Sequence, residues 1–163
     1  DGDSFSRYNR AEVRSCVAMI LRLYNMGLEP AQIGLITPYK LHKEKLIEEL
    51  KSRLQYEAIK LDDRFNIEHD DPESRAKKWM CKIDTVDGFQ GGEREIILIS
   101  LVRTPNFDGF VSEYELRFIE DAKRFNVSLS RAKWINIVFG HETVMKTSHI
   151  WSRYLDRCEL LKV

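Results

Sequence analysis

Apolar and polar positions along this chain follow two alternating periods. Val13, Val17, Ile20, Leu21 and Tyr24 recur at helical spacing, behind Asn9 and Glu12 in capping-box spacing and ahead of Gly27, a helix-stopping residue. This predicts a helix over about residues 10–26. Ile33-Gly34-Leu35-Ile36-Thr37 is short and apolar and is closed by Pro38, which predicts a buried strand opening into a loop. A helix carrying Leu41, Leu46, Ile47 and Leu50 should follow. From 61 to 78 charge is dense and Pro72 interrupts, so Asp62-Asp63, Asp70-Asp71 and Lys77-Lys78 predict a solvated loop or inserted excursion.

A strand is expected near 80–85, and the nearly continuous apolar run 96–102 should be a central strand covered on both faces. Phe118, Ala122, Phe125, Leu129 and Ala132 then trace one helical stripe, residues 135–140 form a further buried strand, and Val144, Ile150, Trp151, Tyr154 and Leu155 mark a last amphipathic helix. Alternating helices and apolar strands imply an α/β domain built of βα units around a mostly parallel sheet. In such sheets ligands gather at the carboxyl ends of strands, and the motifs below are expected there or on the helix that follows.

Composition narrows this picture. At 163 residues and 43% hydrophobic content a single domain over 1–163 is expected. Lys+Arg and Asp+Glu are both 26, so no net field draws the domain to polyanions, as a stand-alone nucleic-acid binder would need. Cys16, Cys81 and Cys158 are odd in number and lack paired spacing, which suits reduced intracellular thiols. No apolar run approaches the roughly 20 residues that span a bilayer, and Asp1-Gly2-Asp3 lacks the layout of a secretion signal. No membrane partner and an intracellular setting are therefore expected, and the missing initial Met suits an excised piece of a longer chain.

Three stretches can carry chemistry. Arg117, Asp121, Arg124, Ser128 and Arg131 form a polar stripe beside the apolar one on the helix through Lys123 to Ala132. An exposed polar face is what most surface helices have; a permanently charged guanidinium at Arg131 or Arg124 could also stabilise a transferring phosphoryl group on a nucleotide held elsewhere. Residues 85–93, Thr-Val-Asp-Gly-Phe-Gln-Gly-Gly-Glu, hold three glycines, two carboxylates and an amide between two strands. Gly91 and Gly92 permit close approach of main-chain N–H groups to a phosphate, and Gln90 and Glu93 can bond a sugar or base; a tight connection without ligand fits the same composition. Thr37-Pro38-Tyr39 puts a hydroxyl and an aromatic face at a strand end, where a nucleic-acid strand could be gripped, although tyrosine there more often packs.

Other chemistries find no support. Neither G-x-G-x-x-G nor a phosphate-loop motif occurs, and His42, His69, His141 and His149 show no metal-site spacing, so no metal ligand is assigned. Trp79, Trp134 and Trp151 read as core or helix-packing residues.

Taken together, residues 33–39, 85–93 and 124–133 resemble the later motifs of superfamily 1, subclass B helicases. Their order and separation are similar to those of the second RecA-like domain in the group that includes the nonsense-mediated-decay and senataxin-type helicases. Ser6, Asn9, Glu12, Ser100-Leu101-Val102-Arg103 and Gly109-Phe110 extend the likeness over almost the whole chain. The resemblance implies a RecA-like three-layer α/β/α fold, with Arg131 as the arginine finger to the γ-phosphate. It implies Glu93 at the nucleotide, Gln90 linking nucleotide to nucleic acid, and Thr37, Thr85 and Asp87 at the bound single strand, shaped by Pro38 and Tyr39. Arg103 and Arg124 become supporting members. His42 stands where the family often has Gln, and 112–123 is longer than usual.

On this likeness the chain is the second motor domain of an ATP-dependent helicase or translocase moving 5′ to 3′ on single-stranded DNA or RNA. ATP and Mg2+ are held mainly by a first RecA-like domain of the same chain, so the piece alone should be nearly inactive. Two rival readings stay open: a non-catalytic RecA-like interaction module, and a flavodoxin-like or Rossmann-type small-ligand domain.

Overall fold

The computed structural model describes residues 7–65 and 71–160. Ser6, His69 and Asp70 lie outside the described residues, and Asp62, Asp63 and Phe118 are described in backbone only. Helix α1 (Arg10–Asn25) starts at Asn9, whose Oδ1 accepts the main-chain N–H groups of Ala11 and Glu12. It ends in reverse bonds from Leu28 N–H to Leu23 O and from Gly27 N–H to Tyr24 O, which satisfy its last carbonyls.

Strands β1 (Ile33–Thr37), β2 (Lys82–Thr85), β3 (Arg94–Ser100) and β4 (Ala132–Phe139) form a four-stranded, wholly parallel sheet in the order β2-β1-β3-β4 among the described residues. Leu35 pairs with Ile83 on one side and Leu98 on the other, so side chains sort cleanly by face. Ile33, Leu35, Ile83, Ile96 and Leu98 join α1 and helix α2 (Lys40–Phe65) in one core. Ile36, Ile97 and Ile99 join Val144, Met145 and Trp151 in a second, from helices α6 (Glu142–Thr147) and α7 (His149–Leu155). A sheet with a core on each face is the three-layer α/β/α arrangement of a RecA-like domain.

Four expectations are corrected. The stretch 61–78 is not a loop throughout: α2 runs to Phe65, and Asp71 caps a further helix, α3 (Pro72–Lys78). Asp71, Glu73, Lys77 and Lys78 face solvent, while Leu61, Ala76, Trp79 and Arg75 are buried. The stripe 118–132 is two helices and a strand start: α4 (Glu113–Ile119) ends, Asp121 caps α5 (Ala122–Leu129), and Ala132 opens β4. The final helix likewise splits at Ser148, whose hydroxyl caps α7. Finally, β4 is an edge strand among the described residues and is partly exposed along its length, not the buried strand expected, so Trp134 (71% exposed) is not a core residue, whereas Trp79 and Trp151 are.

Cys16 and Cys81 are buried and unbridged. Among the described residues no helix is long and apolar enough to cross a membrane.

Candidate functional site

Because β1 lies between β2 and β3, the connection through residues 86–93 must cross the sheet. It leaves the carboxyl end of β2 in a tight turn, Phe89 N–H bonding Thr85 O (2.9 Å) and Gly88 N–H bonding Thr85 Oγ1 (3.3 Å). Phe89, fully buried, then lies over β1 at Gly34, where any Cβ would stand 2.5 Å from its Cζ. Glycine at 34 is thus the opening through which the connection passes. Gly91 (φ +74°) and Gly92 bring the chain to Glu93 at the amino end of β3. Lys82 Nζ and the Arg94 guanidinium flank the Phe89 ring, 4.6 and 6.0 Å from its centre.

The amino end of the sheet therefore collects Glu93 and Arg131, which immediately precede the neighbouring strands β3 and β4. Their backbones are tied together, Arg94 N–H bonding Arg131 O at 3.0 Å. Glu93 is exposed; Arg131 is half-buried and curls back, its Nε donating to Val127 O (3.2 Å) and its Nη2 to Ser130 Oγ (3.1 Å). Arg131 makes no ion pair among the described residues. Those two donors meet neutral acceptors that a phosphate oxygen could outcompete.

The carboxyl end holds the other group. Asp87 is exposed and pairs with Arg124 at 3.4 Å. Thr85 and Pro38 are half-buried, and Gln90 is exposed on the way across. Thr37 is fully buried, and its Oγ1 has no hydrogen-bond partner among the described residues. Tyr39 is also buried; its hydroxyl accepts from Arg103 Nε, and the Arg103 guanidinium lies 4.9 Å from the Tyr39 ring and 5.6 Å from that of Tyr114. Burial pushes the Tyr39 hydroxyl pKa up, against the pull of Arg103. Beside them Lys43 pairs with Asp84 at 2.6 Å; burial raises the Asp84 carboxyl, but bonds from Lys43 and Thr85 N–H hold it below its ordinary range.

Two site expectations change here. The motifs do not share the carboxyl edge: Glu93 and Arg131 stand at the opposite end, because residues 86–93 are spent crossing the sheet. Nor do the arginines of the polar stripe converge. Arg124 sits at the start of α5 with Asp87, and Arg131 lies past its far end, two turns or about 10 Å along. Ser128 between them is buried and bonds Arg124 O.

Sequence reading also missed a buried cluster behind the carboxyl end. Glu12, His42 and Ser100 are 8%, 0% and 0% exposed, which rules out solvent-facing roles for all three. Asn9 N–H donates to His42 Nδ1 (3.2 Å), which leaves the ring proton on Nε2, 2.8 Å from Ser100 Oγ. Ser100 in turn donates to Glu12 Oε2 at 2.5 Å. Burial lifts the Glu12 carboxyl to about 7 despite the bonds from Ser100 and Val102 N–H, and burial lowers His42 to about 4. The capping-box spacing of Asn9 and Glu12 was the only local signal.

No three His, Cys, Asp or Glu side chains come together as a metal site among the described residues.

Known proteins bear on these residues. A family model described as AAA domain matches residues 1–143. The chain is 31% identical over 155 residues to the regulator of nonsense transcripts 1 homolog of Drosophila melanogaster, covering 95% of this chain and 11% of that protein. It is 29% identical over 157 residues to the ATP-dependent helicase NAM7 of Saccharomyces cerevisiae, covering 95% and 13%. With the ATP-dependent helicase upf1 of Schizosaccharomyces pombe it shares 26% over 160 residues, covering 97% and 14%. The chain thus spans well under a fifth of the length of these relatives.

Proposed function

The chain belongs to the AAA domain family, within the superfamily 1 helicases of the nonsense-mediated-decay type, and from that premise we propose that it is the second motor domain of an ATP-dependent helicase or translocase. One observation carries this reading: Glu93 and Arg131 stand side by side on adjacent strand starts, at an edge another domain could close against.

ATP with its Mg2+, held mainly by a first RecA-like domain, supplies the phosphoryl transfer that drives the motor. On closure Arg131 leaves Val127 O and Ser130 Oγ for the charge developing on the γ-phosphate, a substitution of one set of oxygen acceptors by a stronger one. Glu93 accepts from the ribose, the Gly91 and Gly92 backbone permits close approach, and Gln90 joins this edge to the crossing segment. At the other end Thr85, Asp87 and Pro38, backed by Thr37 and Tyr39, face a single strand of DNA or RNA. Arg124 supports them through Asp87. Since residues 86–93 run from one edge to the other, domain closure at the amino end moves the grip at the carboxyl end. The step is 5′ to 3′ in the sense the resemblance implies.

Arg131→Ala in the full-length enzyme is expected to cut ATP turnover by roughly 10³-fold or more while nucleotide binding is retained. Near-normal turnover rejects the finger. Displacement of strands with a 5′ but not a 3′ overhang checks the direction.

A further inference from the structure

Val102, the second residue past the end of β3, has φ +72°, a left-handed conformation that a buried, β-branched residue adopts only under constraint. The constraint is visible. Both main-chain polar groups of Val102 are held by the first turn of α1: its N–H donates to Glu12 Oε2 (2.9 Å), and its carbonyl accepts from Asn9 Nδ2 (3.4 Å), which also donates to Glu12 Oε1 (3.3 Å). Glu12 is locked from behind by Ser100 and His42. The next residue along the chain, Arg103, is buried with its guanidinium against both Tyr39 and Tyr114. A capping-box glutamate would ordinarily turn back to its own helix; here it reaches across 90 residues of sequence to a backbone N–H.

We propose that Glu12 is a positioning residue: with Ser100 and His42 behind it, it holds Val102 in the left-handed turn that seats Arg103 against Tyr39 and Tyr114, and so sets the shape of the strand-facing edge. A strained turn is worth maintaining where the geometry it imposes is used. Arg103 is the link: left to an extended Val102, the chain would leave β3 in another direction, and the Arg103 Nε bond to the Tyr39 hydroxyl would be lost. This inference rests on the reading of that edge as the strand-binding one.

The experiment uses the full-length enzyme and measures affinity for a labelled single strand beside ATP turnover without strand. Glu12→Ala should weaken strand affinity roughly tenfold, the size of losing one well-placed base contact, with strand-free turnover within about twofold of the parent. Adding Val102→Gly should restore affinity to within about threefold, because glycine takes a positive φ without help. Melting is followed beside affinity: repaired affinity with no rise in melting temperature over Glu12→Ala separates the seating of Arg103 from mere stabilisation. Unchanged affinity in Glu12→Ala, or a loss that Val102→Gly does not repair, overturns the proposal. If Glu12→Ala does not fold, Glu12→Asp, which draws the carboxylate back by one methylene, must show the same loss and the same rescue. A parent enzyme that binds no strand would instead refute the strand-facing reading of the edge.

Discussion

The two ends of one parallel sheet hold their polar residues in opposite ways. At the amino end Glu93 is exposed and Arg131 leans on neutral acceptors of its own turn, so both can change partners cheaply. At the carboxyl end Glu12, His42 and Ser100 are buried and interlocked, and Arg103 is held between aromatic rings. Leaving any one of these buried groups without its partner would be expensive. The difference teaches a division of labour: an end completed by another surface keeps its charges loose, whereas the carboxyl end sets an exposed pair, Asp87 and Arg124, over an enclosed network in which Glu12, His42 and Ser100 bond one another.

The comparison breaks first on the two ion-bearing positions. Arg131→Ala should abolish most ATP turnover and leave strand affinity near that of the parent, whereas Asp87→Ala, which removes an acceptor for base amino groups and the partner that orients Arg124, should do the reverse, weakening strand affinity about three- to tenfold with turnover largely kept. Equal effects on both readouts from either variant would mean that the ends do not divide the work. Next in size is the crossing itself. Gly34→Ala drives a methyl group into Phe89 and Ile97 and should cost about 1–3 kcal/mol in denaturant unfolding of the folded chain. A neutral result would show that the Phe89 crossing is not packed as described.

The buried end also makes a claim about pH. Glu12 titrates near 7 in the fold against 4.5 as its ordinary value, so its contribution is fully present below about 4.5 and is lost as pH rises through 7. His42 titrates near 4 against 6.5, so its contribution is present above about 6.5 and is lost as pH falls towards 4. Between 4.5 and 6.5 the two slopes oppose each other. Removing one with His42→Gln should leave stability rising as pH falls from 7 towards 5, by of order 1–2 kcal/mol relative to the parent profile. Parallel profiles would mean that His42 is not held neutral in that network. The smallest effect belongs to the loose end: Lys133→Ala, which removes a pair to Glu95 at 3.6 Å on a half-exposed rim, should change stability by less than about 1 kcal/mol.

Much of this was legible in the chain itself. The strand 33–37 and the start of α1 were read to the residue because their signals are local: an apolar run closed by Pro38, and an Asn side chain reaching N–H groups two and three residues on. The boundary between α4 and α5 was missed for a related reason, since Asp121 has the same spacing whether it decorates a continuous polar stripe or caps a new helix. Periodicity also left 61–78 as loop, because charge density hides an apolar face as narrow as Leu61, Ala76 and Trp79.

Residue types and their spacing by themselves determined an α/β domain, its family likeness and the short list of polar residues from which a site could be drawn, because these depend on neighbours within a few turns. Which of those residues meet was decided only by the order β2-β1-β3-β4, which forces residues 86–93 across β1 and so parts Asp87, beside Arg124, from Glu93, beside Arg131. The fate of Glu12 was decided there too: Asn9, three residues away, still donates to its Oε1, but its Oε2 takes the donors that the fold alone supplies, Ser100 and Val102, brought close when β3 paired beside β1.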